Sequence, residues 1–295
     1  MRRRGRTWFI VGFLSPAVAF YFLFVGWPIV HALELSLFEW RGLSEEKTYV
    51  GLDNFRRLLS DPIFWRSVEH NLAFLVIGGG LMLTLAMLIA HALQGRGLAV
   101  RFLRGVYLFP QVISLVVVSI LWMFLYNPSF GVWTSLRGAM GHPGSGPAVL
   151  GMESTALGAV ILAYVWYGAG FYIMLLSAGI RAVPSEVIEA SELDGARGWV
   201  RFRRVTLPLL WGVMRVSTVY TVISAFNVFV LVYLMTVGGP DRSSEVMLTY
   251  LYELAFKESH FGLATALGVL NLLVVLLVSF VIYGLYRKDP TGARA

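Results

Sequence analysis

Four residues on one predicted helix have the types and the spacing of a sugar-binding surface. Tyr164, Tyr167, Gly168 and Phe171 follow the i, i+3, i+4, i+7 pattern that places side chains on one helix face. Aromatic rings suit a sugar because the C–H faces of the sugar stack against them. Helix packing is the alternative explanation, since small and aromatic residues are also common at contacts between membrane helices and at membrane interfaces.

A second candidate face lies on a later apolar segment. Thr221, Ser224, Ala225 and Val228 share the same helical spacing, and Asn227 is adjacent to it. Hydroxyl groups in these positions would hydrogen-bond to the hydroxyls of a sugar. The sequence therefore predicts a solute cavity, and helix packing stays open as the alternative here too. The candidate cavity residues are Tyr164, Tyr167, Gly168, Phe171, Thr221, Ser224 and Asn227.

The residues that would support catalysis or metal binding show no such pattern. The chain has no cysteine, which excludes disulfides, thiolate metal sites and cysteine nucleophiles, and its five histidines are scattered without metal-ligand spacing. The glycines at 78–80 are not followed by lysine, so close helix packing is their expected use. A membrane enzyme, the alternative from another class, would need paired carboxylates or a nucleophile–base pair. We expect a non-enzyme that binds no metal and no cofactor of its own.

The elements that must position these residues are membrane-spanning helices. Hydrophobic residues make up 57% of the 295 residues and charged residues 14%, against about 25% charged in soluble proteins. Six apolar runs each approach or exceed the length of about 20 residues that a membrane helix needs. The sequence predicts an all-α membrane protein whose six transmembrane helices lie within residues 8–33, 71–93, 106–126, 155–176, 209–237 and 262–286.

The charges indicate how these helices are oriented. The net charge is +7, and 15 of the lysines and arginines fall on the side that holds both termini, against 8 on the other side. Positive residues accumulate in cytoplasmic loops, so we expect both termini on the cytoplasmic side of the cell membrane and residues 34–70 outside. The basic character is thus a topology signal, and nucleic acid is not an expected partner. The predicted tails are residues 1–7 and 287–295.

The cytoplasmic segment 177–208 carries the most specific pattern. Acidic residues come first, an Asp194-Gly195 pair follows that favours a turn, and arginines come last. The pattern predicts a helix, a turn and a short helix. A charged connector without a specific role is the alternative, because surface charge patterns alone carry little information.

The ordered residues of this segment resemble the EAA loop of ABC importer permeases. The match comprises Glu189, Ala190, Asp194, Gly195, Ala196, Phe202 and Pro208. Ser191 departs from the pattern, since alanine usually occupies that position. The chain also resembles the sugar-type permeases, which are related to maltose and glycerol-phosphate importers. This resemblance lies at 51–55, at Phe109-Pro110 and at 236–240.

The resemblance implies a type I ABC importer transmembrane domain over residues 71–286 and a coupling role for the EAA residues. It implies two copies of an ATPase subunit that hydrolyse ATP-Mg, a second related permease subunit, and an extracytoplasmic solute-binding protein. The chain itself has no G-x-x-x-x-G-K-[ST] loop. The expected solute is a mono- or oligosaccharide. Glycerol-phosphate diesters, amino acids or another solute remain alternatives, although the spans have no central lysine or arginine for a phosphate.

Overall fold

The computed structural model describes residues 3–42, 46–95, 97–141 and 146–287, which form a helical protein. The chain divides into two compact units. One comprises Met1–Asp61 with Leu251–Leu272, and the other comprises Pro62–Tyr250 with Leu273–Ala295. The all-α prediction is confirmed.

The helices follow one another with short connections and several π-helical turns. In chain order they are α1 (Arg3–Tyr21), α2 (Trp27–Leu35), α3 (Asp53–Ser60), α4 (Pro62–Ala73), α5 (Gly80–Ala92), α6 (Leu98–Val112), α7 (Leu115–Leu125), α8 (Val132–Ala139), α9 (Glu153–Arg181), α10 (Ser185–Leu193), α11 (Gly198–Arg201), α12 (Leu207–Leu209), α13 (Trp211–Phe226), α14 (Val230–Met235), α15 (Met247–Tyr252) and α16 (Phe261–Leu285). The π-helical turns are Phe22–Gly26, Phe74–Gly79, Phe202–Thr206 and Glu253–Lys257, and a 3₁₀ turn covers Val149–Gly151.

Five stretches of the described residues are long and apolar enough to cross a membrane. They are Trp8–Leu35, Pro62–Ala92, Glu153–Arg181, Trp211–Met235 and Phe261–Leu285. If a bent pair of helices is counted as one further span, the described residues have six candidate spans, in agreement with the predicted number. The second span begins at Pro62, so the helix extends nine residues beyond the predicted apolar run.

The bent pair corresponds to the third span that the sequence predicted over 106–126, and the prediction gave no indication of a bend. Val100–Val112 and Leu115–Leu125 meet at 103°. Ile113 and Ser114 between them have extended backbone angles. Pro110 lies in the last turn before the break and has no N–H for the helix ladder, which weakens the helix there. Hydrophobicity reports that a run is apolar and not which way it points, so the sequence pattern missed the bend.

The first unit contains a short two-stranded hairpin. Strands β1 (Phe38–Glu39) and β2 (Thr48–Tyr49) pair antiparallel. The buried Asn54 amide donates to the carbonyls of Ser36 and Phe38 at 2.9 and 3.0 Å, which fixes α3 beside the hairpin. In the same unit the Gly262 amide donates to the Trp40 carbonyl at 3.2 Å.

The second unit contains the helices that carry the candidate residues. Its core is apolar and includes Phe74, Met82, Val160 and Leu176. The buried Asn71 side chain joins separate parts of the unit: its Nδ2 donates to the Ala225 carbonyl at 2.8 Å, and its Oδ1 accepts from the Met247 amide at 2.9 Å. A buried amide whose donor and acceptor are both used contributes to a single defined packing.

Glycines let the helices of this unit approach closely. A Cβ added at Gly170 would collide with the Tyr107 carbonyl oxygen, and one at Gly79 would collide with the Thr221 methyl group. The expected packing role of 78–80 is therefore confirmed for Gly79. A Cβ added at Gly80 would meet open space.

Candidate functional site

The segment 177–208 folds as a helix, a turn and a short helix, which confirms the prediction. Helix α10 begins directly after Pro184 and ends before a turn in which Gly195 has φ +77°. The Gly195 amide donates to the Glu192 carbonyl at 3.1 Å, and the Ala196 amide donates to the Ser191 carbonyl at 2.8 Å. Glycine adopts this left-handed conformation without a steric penalty and is the usual residue after a helix end. Gly195 therefore sets the direction in which the chain leaves α10.

Phe202 anchors the second half of this segment. Its ring is buried, with its centroid 4.3 Å from that of His91 and 4.9 Å from that of Trp199. The Arg201 guanidinium pairs with the Glu192 carboxylate and joins α11 to α10. Phe202 thus has a packing role, whatever else contacts the segment.

The other candidate residues of this segment are mostly on its surface. Glu189, Ala190, Asp194 and Gly195 are exposed, and Ala196 and Pro208 are half-buried. Leu193 beside them is 90% exposed, which is unusual for a leucine that faces water. The segment therefore presents an exposed surface of mixed charge and apolar character.

Ser191, which departs from the expected alanine, is buried on the opposite side of α10. Its hydroxyl donates to the Ile188 carbonyl at 2.7 Å, so the polar atom is satisfied within the helix. A small side chain is required where the helix packs. Serine and alanine are both small enough, which explains why the substitution leaves the helix intact.

A cavity of about 230 Å³ brings together most of the predicted cavity residues. Its walls come from α9, from α13 and α14, and from the bend between α6 and α7. Of the seven candidates, six line it: Tyr164, Tyr167, Gly168, Phe171, Ser224 and Asn227. The Tyr164 hydroxyl donates to Ser224 Oγ at 3.1 Å and links the two predicted faces.

Thr221, the seventh candidate, is not among the lining residues. Its side chain is buried, and its hydroxyl lies 2.9 Å from the Tyr172 hydroxyl and 2.8 Å from the Ser217 carbonyl. The helical spacing put Thr221 and Ser224 on one face, but that face is wide enough for one residue to reach the cavity and the other to pack between helices. The alternative explanation, helix packing, fits Thr221.

The bend contributes a residue that the sequence analysis missed. Gln111 lines the cavity, and its Nε2 donates to the Tyr167 carbonyl on α9. An amide next to Pro110 inside an apolar run was the available signal. Val228, which the sequence analysis placed on the second candidate face, also lines the cavity. The lining residues that were not predicted are Met82, Leu115, Tyr172, Tyr220, Phe229, Val230 and Leu231.

The composition of the lining defines its chemistry. Six aromatic rings surround the cavity, namely Tyr164, Tyr167, Phe171, Tyr172, Tyr220 and Phe229. Gln111, Ser224 and Asn227 add amide and hydroxyl groups. No charged side chain is among the lining residues that the structure describes. Such a cavity suits an uncharged solute with hydroxyl groups. The rings can stack on the apolar faces of the solute, and the amides can form hydrogen bonds with the solute's hydroxyls.

Groups of carboxylate and histidine side chains that would hold a metal ion do not occur within 3–42, 46–95, 97–141 and 146–287. The described glycines at 78–80 belong to a membrane-spanning helix.

A family of known proteins matches residues 82–288 of the chain, and its description is binding-protein-dependent transport system inner membrane component. The match covers both the segment 177–208 and the 230 Å³ cavity.

Individual proteins are similar over nearly the whole chain. The probable ABC transporter permease protein YurN of Bacillus subtilis is 37% identical over 271 residues, 90% of this chain and 92% of that protein. The diacetylchitobiose uptake system permease protein NgcF of Streptomyces coelicolor is 32% identical over 307 residues, 99% of this chain and 87% of that protein. A crystal structure of a bacterial alginate ABC transporter, in complex with a periplasmic protein that holds an alginate pentasaccharide, contains a chain with the same fold. Its TM-score is 0.81 at 22% identity, and the match covers 96% of this chain and 95% of that one.

Proposed function

The chain belongs to the binding-protein-dependent transport system inner membrane components, and from that membership we propose that it is the permease subunit of an ABC importer for a neutral sugar. The observation that carries the proposal is the cavity of about 230 Å³ between α9, α13 and the bend at Gln111. Its rings and its uncharged polar groups match the two kinds of surface that a sugar presents.

The charge of the cavity separates this proposal from the closest alternative. A glycerol-phosphate diester or another anion would need a lysine or arginine among the lining residues, because an unpaired anion is costly inside the membrane. The described lining has none. The name of the similar protein NgcF, a diacetylchitobiose uptake permease, also favours an oligosaccharide.

We further propose that a partner ATPase contacts the exposed part of the segment 177–208 and that movements driven by ATP hydrolysis reach the permease through this contact. Glu189 would pair with a basic or N–H group of that subunit, and Gly195 would fix the angle of α10 against it. Both residues are exposed, and the Arg201–Glu192 pair and the buried Phe202 hold the segment as one body. A short helix held in this way would transmit a displacement to the flanking spans α9 and α13.

The proposed assembly follows from these two sites. Two ATPase copies would sit on the cytoplasmic side, where the proposed topology also places both chain termini. A second related permease would complete the translocation path. A solute-binding protein outside would deliver the sugar, and the periplasmic protein in the alginate transporter complex is a precedent for that component. The multi-pass location in the cell membrane agrees with the family description.

Transport measurements on the complete complex test the proposal. The permease, its genomic neighbours that encode the partner subunits, and the binding protein are reconstituted in liposomes that contain ATP. We expect ATP-dependent uptake of a neutral mono- or oligosaccharide, and no uptake when ATP is replaced by a non-hydrolysable analogue. Uptake of glycerol-phosphate diesters or amino acids in place of any sugar would overturn the proposed solute class. Uptake that does not require ATP would overturn the proposed mechanism.

A further inference from the structure

A second and larger cavity of about 830 Å³ lies in the same unit of the chain but has different chemistry. It is a groove between the span Pro62–Ala92 and the beginning of α9, with Ser243 at its edge. None of the 230 Å³ cavity residues takes part in it. Nothing in the proposed transport cycle uses this groove.

The polarity of the groove changes along its length. Its polar residues are Arg66 and His70 near the start of one span and Glu153 and Ser154 at the start of the other. Further along both helices the lining becomes apolar and consists of Ile77, Leu81, Leu157, Gly158, Ile161 and Leu162. The polar residues therefore share one end of the groove, at one surface of the membrane, and the apolar residues extend from there toward the middle.

The length of the apolar part matches one leaflet of a bilayer. With a rise of 1.5 Å per helical residue, Leu81 lies about 16 Å along the helix from His70, and Leu162 lies about 12 Å along α9 from Ser154. Half of the hydrocarbon core of a membrane is about 15 Å. An acyl chain that starts at the polar end would thus remain against the groove for the depth of its own leaflet.

Both signs of charge are present at the polar end. Arg66 Nη1 donates to the Asp241 carbonyl at 3.1 Å, which orients the guanidinium and uses one of its five N–H donors. His70 Nδ1 lies 2.7 Å from the Glu245 carbonyl, so this ring is held in place as well. Glu153 is exposed at the same end. The Arg66 guanidinium has further N–H donors for a phosphate, and the Glu153 carboxylate can pair with an ammonium group. Together they complement a headgroup that carries both.

We propose that this groove binds a zwitterionic glycerophospholipid, with its phosphate at Arg66, its ammonium group at Glu153, and one acyl chain along Ile77, Leu81 and Leu162. A sugar is excluded as the occupant because the deep part of the groove offers it no polar partner. An anionic lipid would satisfy Arg66 but would bring a negative headgroup beside Glu153. The proposal does not depend on which solute the transporter carries.

The test measures lipid retention by the intact transporter. The complete complex is purified from nanodiscs that contain equal amounts of phosphatidylethanolamine and phosphatidylglycerol, and the retained lipids are counted by native mass spectrometry. We expect the wild-type complex to retain phosphatidylethanolamine preferentially. Arg66→Gln should lower that retention about fivefold, because it removes one interfacial cation. Glu153→Gln should abolish the preference between the two lipids.

Gly158 offers a variant that fills the groove and leaves the fold intact. Gly158 lines the groove and a Cβ added there meets no atom within 4 Å, so we expect Gly158→Leu to direct its side chain into the groove. It should lower retention of phosphatidylethanolamine at least as much as Arg66→Gln. Gly105→Leu is the matched control, since a Cβ there also meets open space and Gly105 lies outside the lining. It should leave retention unchanged.

Three results would overturn the proposal. One is equal retention of the two lipids by the wild-type complex. Another is unchanged retention in Gly158→Leu. The third is failure of Gly158→Leu to assemble with the second permease subunit, while Gly105→Leu assembles, because a protein surface and not a lipid would then fill the groove.

Discussion

The segment 177–208 and the 230 Å³ cavity differ in how their residues are brought together. The proposed coupling residues follow one another within twenty positions, and their conformation depends on local features such as the left-handed Gly195. The cavity residues come from positions between 82 and 231, on helices that meet through packing. The first region is mostly exposed, and the second lies among buried helices.

The difference explains which substitutions each region tolerates. In the segment, the exposed residues have the proposed contact with the ATPase, so their loss should affect uptake and leave the fold in place. In the cavity, the same side chains contact the proposed solute and the neighbouring helices. Substitutions there combine an effect on transport with an effect on packing, and the experiments below separate the two.

The largest effect is expected in the segment 177–208, where we propose the coupling to ATP hydrolysis. Glu189→Ala should lower ATP-driven uptake about thirtyfold or more, because it leaves a charged group of the ATPase without its partner. Gly195→Asp should also lower uptake, since it places a charged side chain at an exposed left-handed position that glycine adopts without steric cost, and it changes how the chain leaves α10. Uptake is measured in reconstituted liposomes, and the amount of permease in the membrane fraction is measured by immunoblot.

Glu186 is the control for this experiment, because it is an equally exposed glutamate of the same helix outside the matched motif. Glu186→Ala should transport normally. If Glu189→Ala and Gly195→Asp also transport normally, the segment is a connector and the proposed coupling role is wrong.

A smaller effect is expected in the cavity from Tyr167→Ala. Loss of one stacking ring should raise the KM for uptake up to about tenfold. The neighbouring Trp166 lies outside the lining and packs its ring 5.8 Å from that of Trp122. Trp166→Ala should therefore lower the amount of folded protein and leave KM unchanged. If Tyr167→Ala lowers the amount of folded protein and leaves KM unchanged, the ring of Tyr167 serves helix packing and not solute binding.

Gln111→Leu tests whether the bend belongs to the cavity. The substitution removes the bond from Gln111 Nε2 to the Tyr167 carbonyl, and one buried hydrogen bond contributes about 1 kcal/mol. We expect uptake to fall about fivefold. Gln94, the other glutamine of the chain, is exposed and contacts His91 at the surface, so Gln94→Leu serves as control. Equal effects of the two variants would contradict a specific role of the bend.

The smallest effect distinguishes two hydroxyls on one helix. Ser224→Ala removes a cavity hydroxyl that accepts from the Tyr164 hydroxyl, and it should raise KM about threefold. Thr221→Val removes a hydroxyl that is buried between helices and should lower the thermal unfolding temperature with unchanged KM. Uptake kinetics and thermal unfolding of the purified complex are measured side by side. A changed KM in Thr221→Val would show that the Thr221 hydroxyl contributes to the cavity.

The candidate cavity shows how far sequence reasoning reaches. The spacing of Tyr164, Tyr167, Gly168 and Phe171 was sufficient to place them together, because a helix repeats every 3.6 residues wherever it lies. The same reasoning failed to separate Ser224 from Thr221. It also missed Gln111, since the direction of α6 and α7 depends on a break at Ile113 and Ser114 that hydrophobicity does not encode.

The sequence by itself determined the class of the protein, the number of its apolar segments and the form of the coupling segment. These properties depend on composition and on neighbours within a few residues, and Gly195 and Pro184 act at that range. The tertiary structure alone decided which faces meet. The close contacts at Gly170 and Gly79, the hydrogen bonds of Asn71, and the groove that ends at Arg66 and Glu153 all join residues far apart in the chain. Such contacts depend on the volumes and directions of whole helices, and a one-dimensional pattern does not contain them.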